Sequence, residues 1–213
     1  MSSLMEQVRL VIEQIMQTLG YPGIALIMLV ENIFPPIPSE LVMPLAGFLV
    51  ASGTFSFPGA IAAGTLGSVA GALILYYIGM FAGEPLVRPF IRTYGKWFLL
   101  SEADLDRSLA TFTRHGDSMV FVGRVIPLIR SLISLPAGMN RMPLPRFLLL
   151  TTAGSAIWTT LLTGAGYILG ANWSTVVEFI GQYQRFVLAL LALIVVVFVV
   201  RRVIQLRAGG QAA

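Results

Sequence analysis

The chain has 213 residues, 56% of them apolar and only 11% charged, well below the roughly 25% charged residues of a domain that folds in water. The absence of cysteine and a single histidine, His115, exclude a disulfide framework and thiolate metal sites, leave too few ligands for a His-ligated zinc centre, and imply no cofactor. The net charge of +4 rests on Arg residues flanking apolar runs rather than on basic clusters interleaved with aromatics, which argues for membrane orientation and against nucleic acid.

Residues 1–20 carry Leu4, Val8, Val11, Ile12, Ile15 and Leu19 at helical spacing, with Glu6, Arg9, Glu13 and Gln17 on another face. This predicts an amphipathic helix lying in the membrane interface. It has neither the charged flank nor the small-residue cleavage site of a signal peptide.

Residues 21–53 are apolar but interrupted by Glu31-Asn32-Ile33-Phe34-Pro35-Pro36-Ile37-Pro38-Ser39-Glu40. Pro35, Pro36 and Pro38 remove amide donors and stop a continuous helix, and each half is shorter than the roughly 20 residues needed to cross about 30 Å of hydrocarbon. Two short halves joined by a proline turn predict a re-entrant helical hairpin, which is tolerated at membrane depth only where its backbone is covered by protein or lines a wet cavity. Residues 55–83 then form a transmembrane helix. Its glycines, from Gly64 to Gly71, read as a small-residue stripe for helix packing.

Residues 84–116 hold a dense run of charge, with Arg88, Arg92 and Lys96 at four-residue spacing and Ser101-Glu102-Ala103-Asp104 approximating a capping box, so interfacial helices are expected there. Residues 117–142 repeat the hairpin pattern, broken at Pro127 and with Pro136 in the second half. Transmembrane helices are expected over 144–170 and 180–206, the latter built on the charge-free stretch 186–200. Trp97, Trp158 and Trp173 suit an interfacial belt or packing.

The two hairpins resemble one another in detail. Gly23 precedes Glu31 by eight residues as Gly116 precedes Arg124, and Pro44-Leu45-Ala46-Gly47 is answered by Pro136-Ala137-Gly138. Gly67-Ser68 likewise reappears as Gly154-Ser155. A hairpin plus one crossing, duplicated, turns the second copy upside down, so the predicted fold class is an all-α polytopic membrane protein made of an inverted repeat, a transporter signature. On that topology ten of the basic residues, including Arg141, Arg146, Arg201, Arg202 and Arg207, share one side with the C-terminal tail, which is therefore expected in the cytoplasm.

Glu31 and Glu40 border the first break, and Arg124 and Arg130 the second. Four ionisable groups at membrane depth should face one another or a watery cavity. Arg124 and Arg130 suit a phosphate clamp, because guanidinium stays charged and matches phosphate oxygens in a bidentate manner. Ser131, at the start of the expected half-helix, adds the positive end of a helix, and Asn140 with Arg141 closes the hairpin and can assist. Glu31 and Glu40 are the reversible, proton-coupling element. The competing structural account is that two Glu–Arg pairs simply tie the hairpins together.

The stretches Glu31 to Glu40 and Gly123-Arg124-Val125-Ile126-Pro127-Leu128-Ile129-Arg130-Ser131, followed by Pro136-Ala137-Gly138-Met139, resemble the two hallmark segments of the DedA family, the bacterial branch of the SNARE-associated or VTT-domain proteins. The resemblance covers about residues 20 to 170 and implies a multi-pass protein of the bacterial inner (plasma) membrane that moves lipid between leaflets. Bacterial members are associated with returning undecaprenyl phosphate to the cytoplasmic leaflet or with moving phosphatidylethanolamine, eukaryotic relatives with scrambling. It also implies that Glu31, Glu40, Arg124 and Arg130 are essential and that activity depends on proton motive force. An alkaline phosphatase-like label carried by some relatives finds no serine–metal constellation here, so an enzyme is not expected. A flippase is thus the first reading, a scramblase the second and an intramembrane lipid phosphatase the third. Membrane lipids are the expected partners, and the small-residue stripes suit a homodimer.

Overall fold

The computed structural model describes residues 2–33, 39–94, 101–127 and 129–169, together with Val196. Pro35, Pro36 and Pro38, Lys96, Trp97, Trp173 and, apart from Val196, the helix expected over 180–206 lie outside the described residues, as do Arg185, Arg201, Arg202 and Arg207. The described residues are all-helical: α1 (Ser2–Leu19), α2 (Tyr21–Ile33), α3 (Ser39–Ala51), α4 (Phe57–Ile78), a π-helical turn (Gly79–Gly83), α5 (Glu84–Tyr94), α6 (Glu102–Gly123), α7 (Ile129–Leu132), α8 (Ser134–Met139) and α9 (Leu144–Leu169).

Two helical stretches are long and apolar enough to cross a membrane, Phe57–Thr93 and Leu144–Leu169. The first joins α4, the π turn and α5 into 37 residues, with no break at 83 where the sequence predicts one. Pro85 has no amide to give the carbonyl of Phe81, and its ring would crowd that oxygen in a regular α-helix. The widened turn at Gly79–Gly83 absorbs the mismatch without ending the helix.

Helices α4 and α9 run antiparallel along their whole length. Phe57, at the start of α4, has its ring 5.9 Å from that of Tyr167 near the end of α9. Thr65 and Thr159 share a 3.0 Å hydrogen bond midway. The Tyr76 hydroxyl donates to the carbonyl of Met142 at 2.6 Å, just ahead of α9, and its ring lies 4.7 Å from Phe147.

Around this pair the short helices pack crosswise. A Cβ on Gly47 in α3 would strike the carbonyl of Thr163 in α9, and one on Gly138 in α8 would strike the carbonyl of Tyr76 in α4. Conversely, Gly166 abuts the carbonyl of Pro44, and Gly79 that of Leu135. The same contact thus occurs twice, with α3 and α8 related by 91 residues and α4 and α9 by 87. In lipid no hydrophobic drive presses helices together, so such backbone-to-backbone approach, possible only without a Cβ, is how they gain dispersion contacts.

Helix α1 carries Ile12 and Met16 into a core with Ile24, Ile27, Met28, Leu45 and Leu49, while Leu10, Val11 and Leu19 stay exposed. The amphipathic helix therefore packs its apolar face on α2 and α3. Helix α6 begins at a complete capping box of Ser101 and Asp104 and continues past residue 116 to Gly123. Its one non-helical residue is His115, at φ −127° and ψ 15°, so the boundary expected at 116/117 is a kink within a single element. The second arm of that hairpin is not one half-helix: Ile133 separates the single turn α7 from α8.

Candidate functional site

Helix α2 delivers Glu31 and Asn32 in its last turn, and α3 carries Glu40 in its first. Facing Glu31, α6 ends at Gly123, and the turn after it places Arg124 at the cap and Arg130 in α7, whereas no contact joins Glu40 to either arginine among the described residues. All four charged side chains are buried, at 5% exposure for Glu31, 6% for Glu40, 2% for Arg124 and 4% for Arg130.

Their environments differ. The Arg130 guanidinium donates to the Glu31 carboxylate in an ion pair shielded from solvent, which fastens α7 to the end of α2. Beside Glu31, the amide of Asn32 donates to the backbone carbonyl of Ser68 and ties the same turn to α4. Glu40 has neither a hydrogen-bond nor an ion-pair partner among the described residues.

Arg124 has no carboxylate partner among the described residues. One terminal nitrogen donates to the Ser134 hydroxyl at 2.6 Å, its Cζ lies 5.8 Å from the Phe147 ring centroid, and its Nε is buried without an acceptor. Gly154 makes room for the stem, because a Cβ there would come within 2.6 Å of the Arg124 Cβ. Burying a cation with an unanswered donor costs several kcal/mol unless an anion or water completes it, on the order of the effective desolvation penalty for a single ion.

Not every candidate converges. Ser131 is buried beside Arg130, but it lies inside a four-residue turn, not at the head of a half-helix. The neighbouring amides of Arg130 and Ile133 are already bonded to Ile126 and Ile129, so no ring of free amides is available. Asn140 caps α8, donates to the carbonyl of Pro136 at 3.1 Å and accepts from Thr113 at 2.9 Å. These bonds secure α8 to α6 and do not reach the buried arginines. Pro127 lies in the turn after Arg124 and Pro136 within α8.

The sequence reading gives no site role to Ser134, Asn32, Phe147 or Gly154, although Asn32 lies in the first hallmark stretch and Gly154 in the repeat match. The signal for Ser134 was present, since it is a hydroxyl between Ile133 and Leu135, three residues after Ser131, in a mostly apolar arm. A second overlooked feature is the row Thr151, Ser155, Thr159 and Thr163 on α9, all buried, with the hydroxyls of Thr151 and Thr163 unpaired. Among the described residues no cluster of acidic, His or Cys side chains suited to a metal is found.

The VTT domain model matches residues 37–168. The chain is 36% identical to undecaprenyl phosphate transporter A of Bacillus subtilis, over 85% of this chain and 88% of that protein. It is 32% identical to undecaprenyl phosphate transporter A of Staphylococcus aureus, over 92% of this chain and 96% of that one. An alkaline phosphatase-like protein of Lactococcus lactis subsp. cremoris is 42% identical over 86% of each chain. No solved structure matches.

Proposed function

The chain belongs to the VTT-domain, or DedA, family of membrane proteins, and from that premise we propose that it carries a polyprenyl phosphate, undecaprenyl phosphate above all, to the cytoplasmic leaflet. The observation that carries this reading is Arg124: a guanidinium at 2% exposure with its Nε unanswered, wanting the oxygens a phosphate supplies. The names of the two transporter relatives agree with that chemistry.

In this mechanism Arg124 receives the phosphate, held at its rim by Ser134 and Phe147. Arg130, occupied by Glu31, is the second arm of the clamp. A proton taken up by Glu31 would release Arg130 to the phosphate, and its loss would restore the ion pair and expel the headgroup. Glu40, buried and without a partner among the described residues, is a second proton carrier. The antiparallel α4 and α9 and the twice-repeated glycine contacts support a pair of inverted halves, each a re-entrant hairpin and a crossing, that expose this site in alternation. The positive-inside rule sets the tail in the cytoplasm.

The test is translocation of labelled undecaprenyl phosphate in proteoliposomes with and without an imposed pH gradient. Arg124→Lys and Glu31→Gln should each abolish movement, and phosphatidylethanolamine should move less than the phosphate monoester. Equal, gradient-independent movement of all phospholipids would instead identify a scramblase, and release of inorganic phosphate a phosphatase. Transport persisting in both variants refutes the site.

A further inference from the structure

A second polar site lies away from the buried arginines, where the π turn meets the end of α8. A cavity of about 480 Å³ is lined there by Met80, Phe81, Glu84, Arg88, Arg92, Met139 and Arg141, among others. Its depth follows from length. The 22 residues of α4 rise about 33 Å, enough to cross the hydrocarbon, so the residues after it stand at the level of the headgroups.

Two local irregularities converge on this cavity. The first is the π-helical turn Gly79–Gly83, a form that in helices recurs at functional sites. The second is Arg141, among the described residues the only non-glycine at positive φ, at 49°. Arg141 closes α8 in a Schellman motif, with its amide on the Gly138 carbonyl at 2.8 Å and the Met142 amide on the Ala137 carbonyl at 3.0 Å. That position ordinarily takes glycine, and an arginine held there against its backbone preference points to a use for the side chain.

The charges are unequally committed. Arg88 bonds Glu84 at 2.8 Å and Asp106 at 2.7 Å, and Arg92 bonds Glu102 at 3.0 Å, which holds both forks against one wall. Arg141 is exposed and has no carboxylate partner among the described residues. The uncommitted guanidinium of Arg141 over Met80, Phe81 and Met139 is a surface for an amphiphile bearing an anion, and the volume lies within the range of small-ligand pockets.

We propose that this interfacial cavity is a phosphate-headgroup site, with Arg141 as its principal ligand and Arg88 and Arg92 as its rim. It would hold a phosphate monoester lipid at the leaflet surface, outside the membrane-depth site. The proposal deepens the transport reading by giving the lipid a landing place, yet its test does not depend on transport.

The full-length protein in phosphatidylcholine nanodiscs is photolabelled with a diazirine-bearing phosphatidic acid, and the labelled residues are mapped by mass spectrometry. Label is expected on residues 80–92 and 139, and Arg141→Gly should lower its yield about tenfold, the scale of one hydrogen bond to a charged group. Glycine suits the backbone at 141, so misfolding does not explain such a loss, and Arg141→Lys should restore part of the yield. Competition by inorganic phosphate would identify the headgroup alone as the ligand, and competition only by unlabelled phosphatidic acid the whole amphiphile. Arg124→Lys, which should stop transport, should leave this label in place. An unchanged yield in Arg141→Gly, or label absent from the cavity, overturns the proposal, and failure of transport in the wild type would leave the labelling to be judged on its own.

Discussion

Replacing Glu31 by Gln leaves the shape of the side chain and removes its charge, so Arg130 keeps a hydrogen-bond acceptor but loses its counter-ion. Both partners are more than nine-tenths buried, and breaking one side of such a pair typically costs about 3–5 kcal/mol. The retained amide oxygen sets the expectation at the lower end, about 3 kcal/mol, which for a chain of this size is a fall in Tm on the order of 6–12 °C. The double variant Glu31→Gln with Arg130→Gln removes both charges and should regain most of that loss, because no uncompensated ion remains. The assay is thermal unfolding of the full chain in one detergent for the wild type, the two single variants and the double, read as a double-mutant cycle. Transport is measured in parallel and should stay absent in the double variant. Strictly additive losses would refute the pairing, and a double variant that is both stable and fully active would show that the pair only braces the fold.

Ser134→Ala removes the acceptor of the Arg124 guanidinium and should cost about 1.5–3 kcal/mol, the range for a hydrogen bond to a charged group; Ser134→Thr should recover part of it in the same melting assay. Gly47→Ala and Gly138→Ala drive a Cβ into the carbonyls of Thr163 and Tyr76 and should destabilise alike, by about 1–3 kcal/mol each, so markedly unequal losses would count against equivalent roles. At the junction of α5 and α6, hydrogen bonding from Arg92 holds the Glu102 carboxyl below its usual range. A lowered folded-state pKa means the α5–α6 tie is complete above the ordinary carboxylate value and is lost as pH falls through the folded value. Hydrogen exchange at 102–106 should therefore accelerate on acidification, and Arg92→Gln together with Arg88→Gln, which removes both arginines of the tie, should make it fast and much less dependent on pH once intrinsic exchange is corrected.

Much of this arrangement was legible because membrane insertion penalises charge so heavily. Glu31, Arg124 and Arg130 announce themselves in apolar surroundings next to helix-breaking prolines, and the capping box before α6 is written in four consecutive residues. Partner choice was not legible. Glu31 and Arg124 stand at the same spacing from Gly23 and Gly116, yet Arg130 takes the carboxylate, since that depends on how the turn after Gly123 folds back. The single turn of α7 shows the same limit: Ile129 to Met139 contains only one proline, three residues beyond the division at Ile133, so nothing local marks the break. The continuous passage from α4 into α5 was hidden because Pro85 reads as a stop, whereas a widened turn lets the helix continue.

The crosswise glycine contacts bear on how the chain is made. Gly47 meets its partner only when Thr163 exists, more than a hundred residues later in synthesis. During that interval α3 lacks the helix it packs on, and the contact closes only once α9 has been made and has come in beside it.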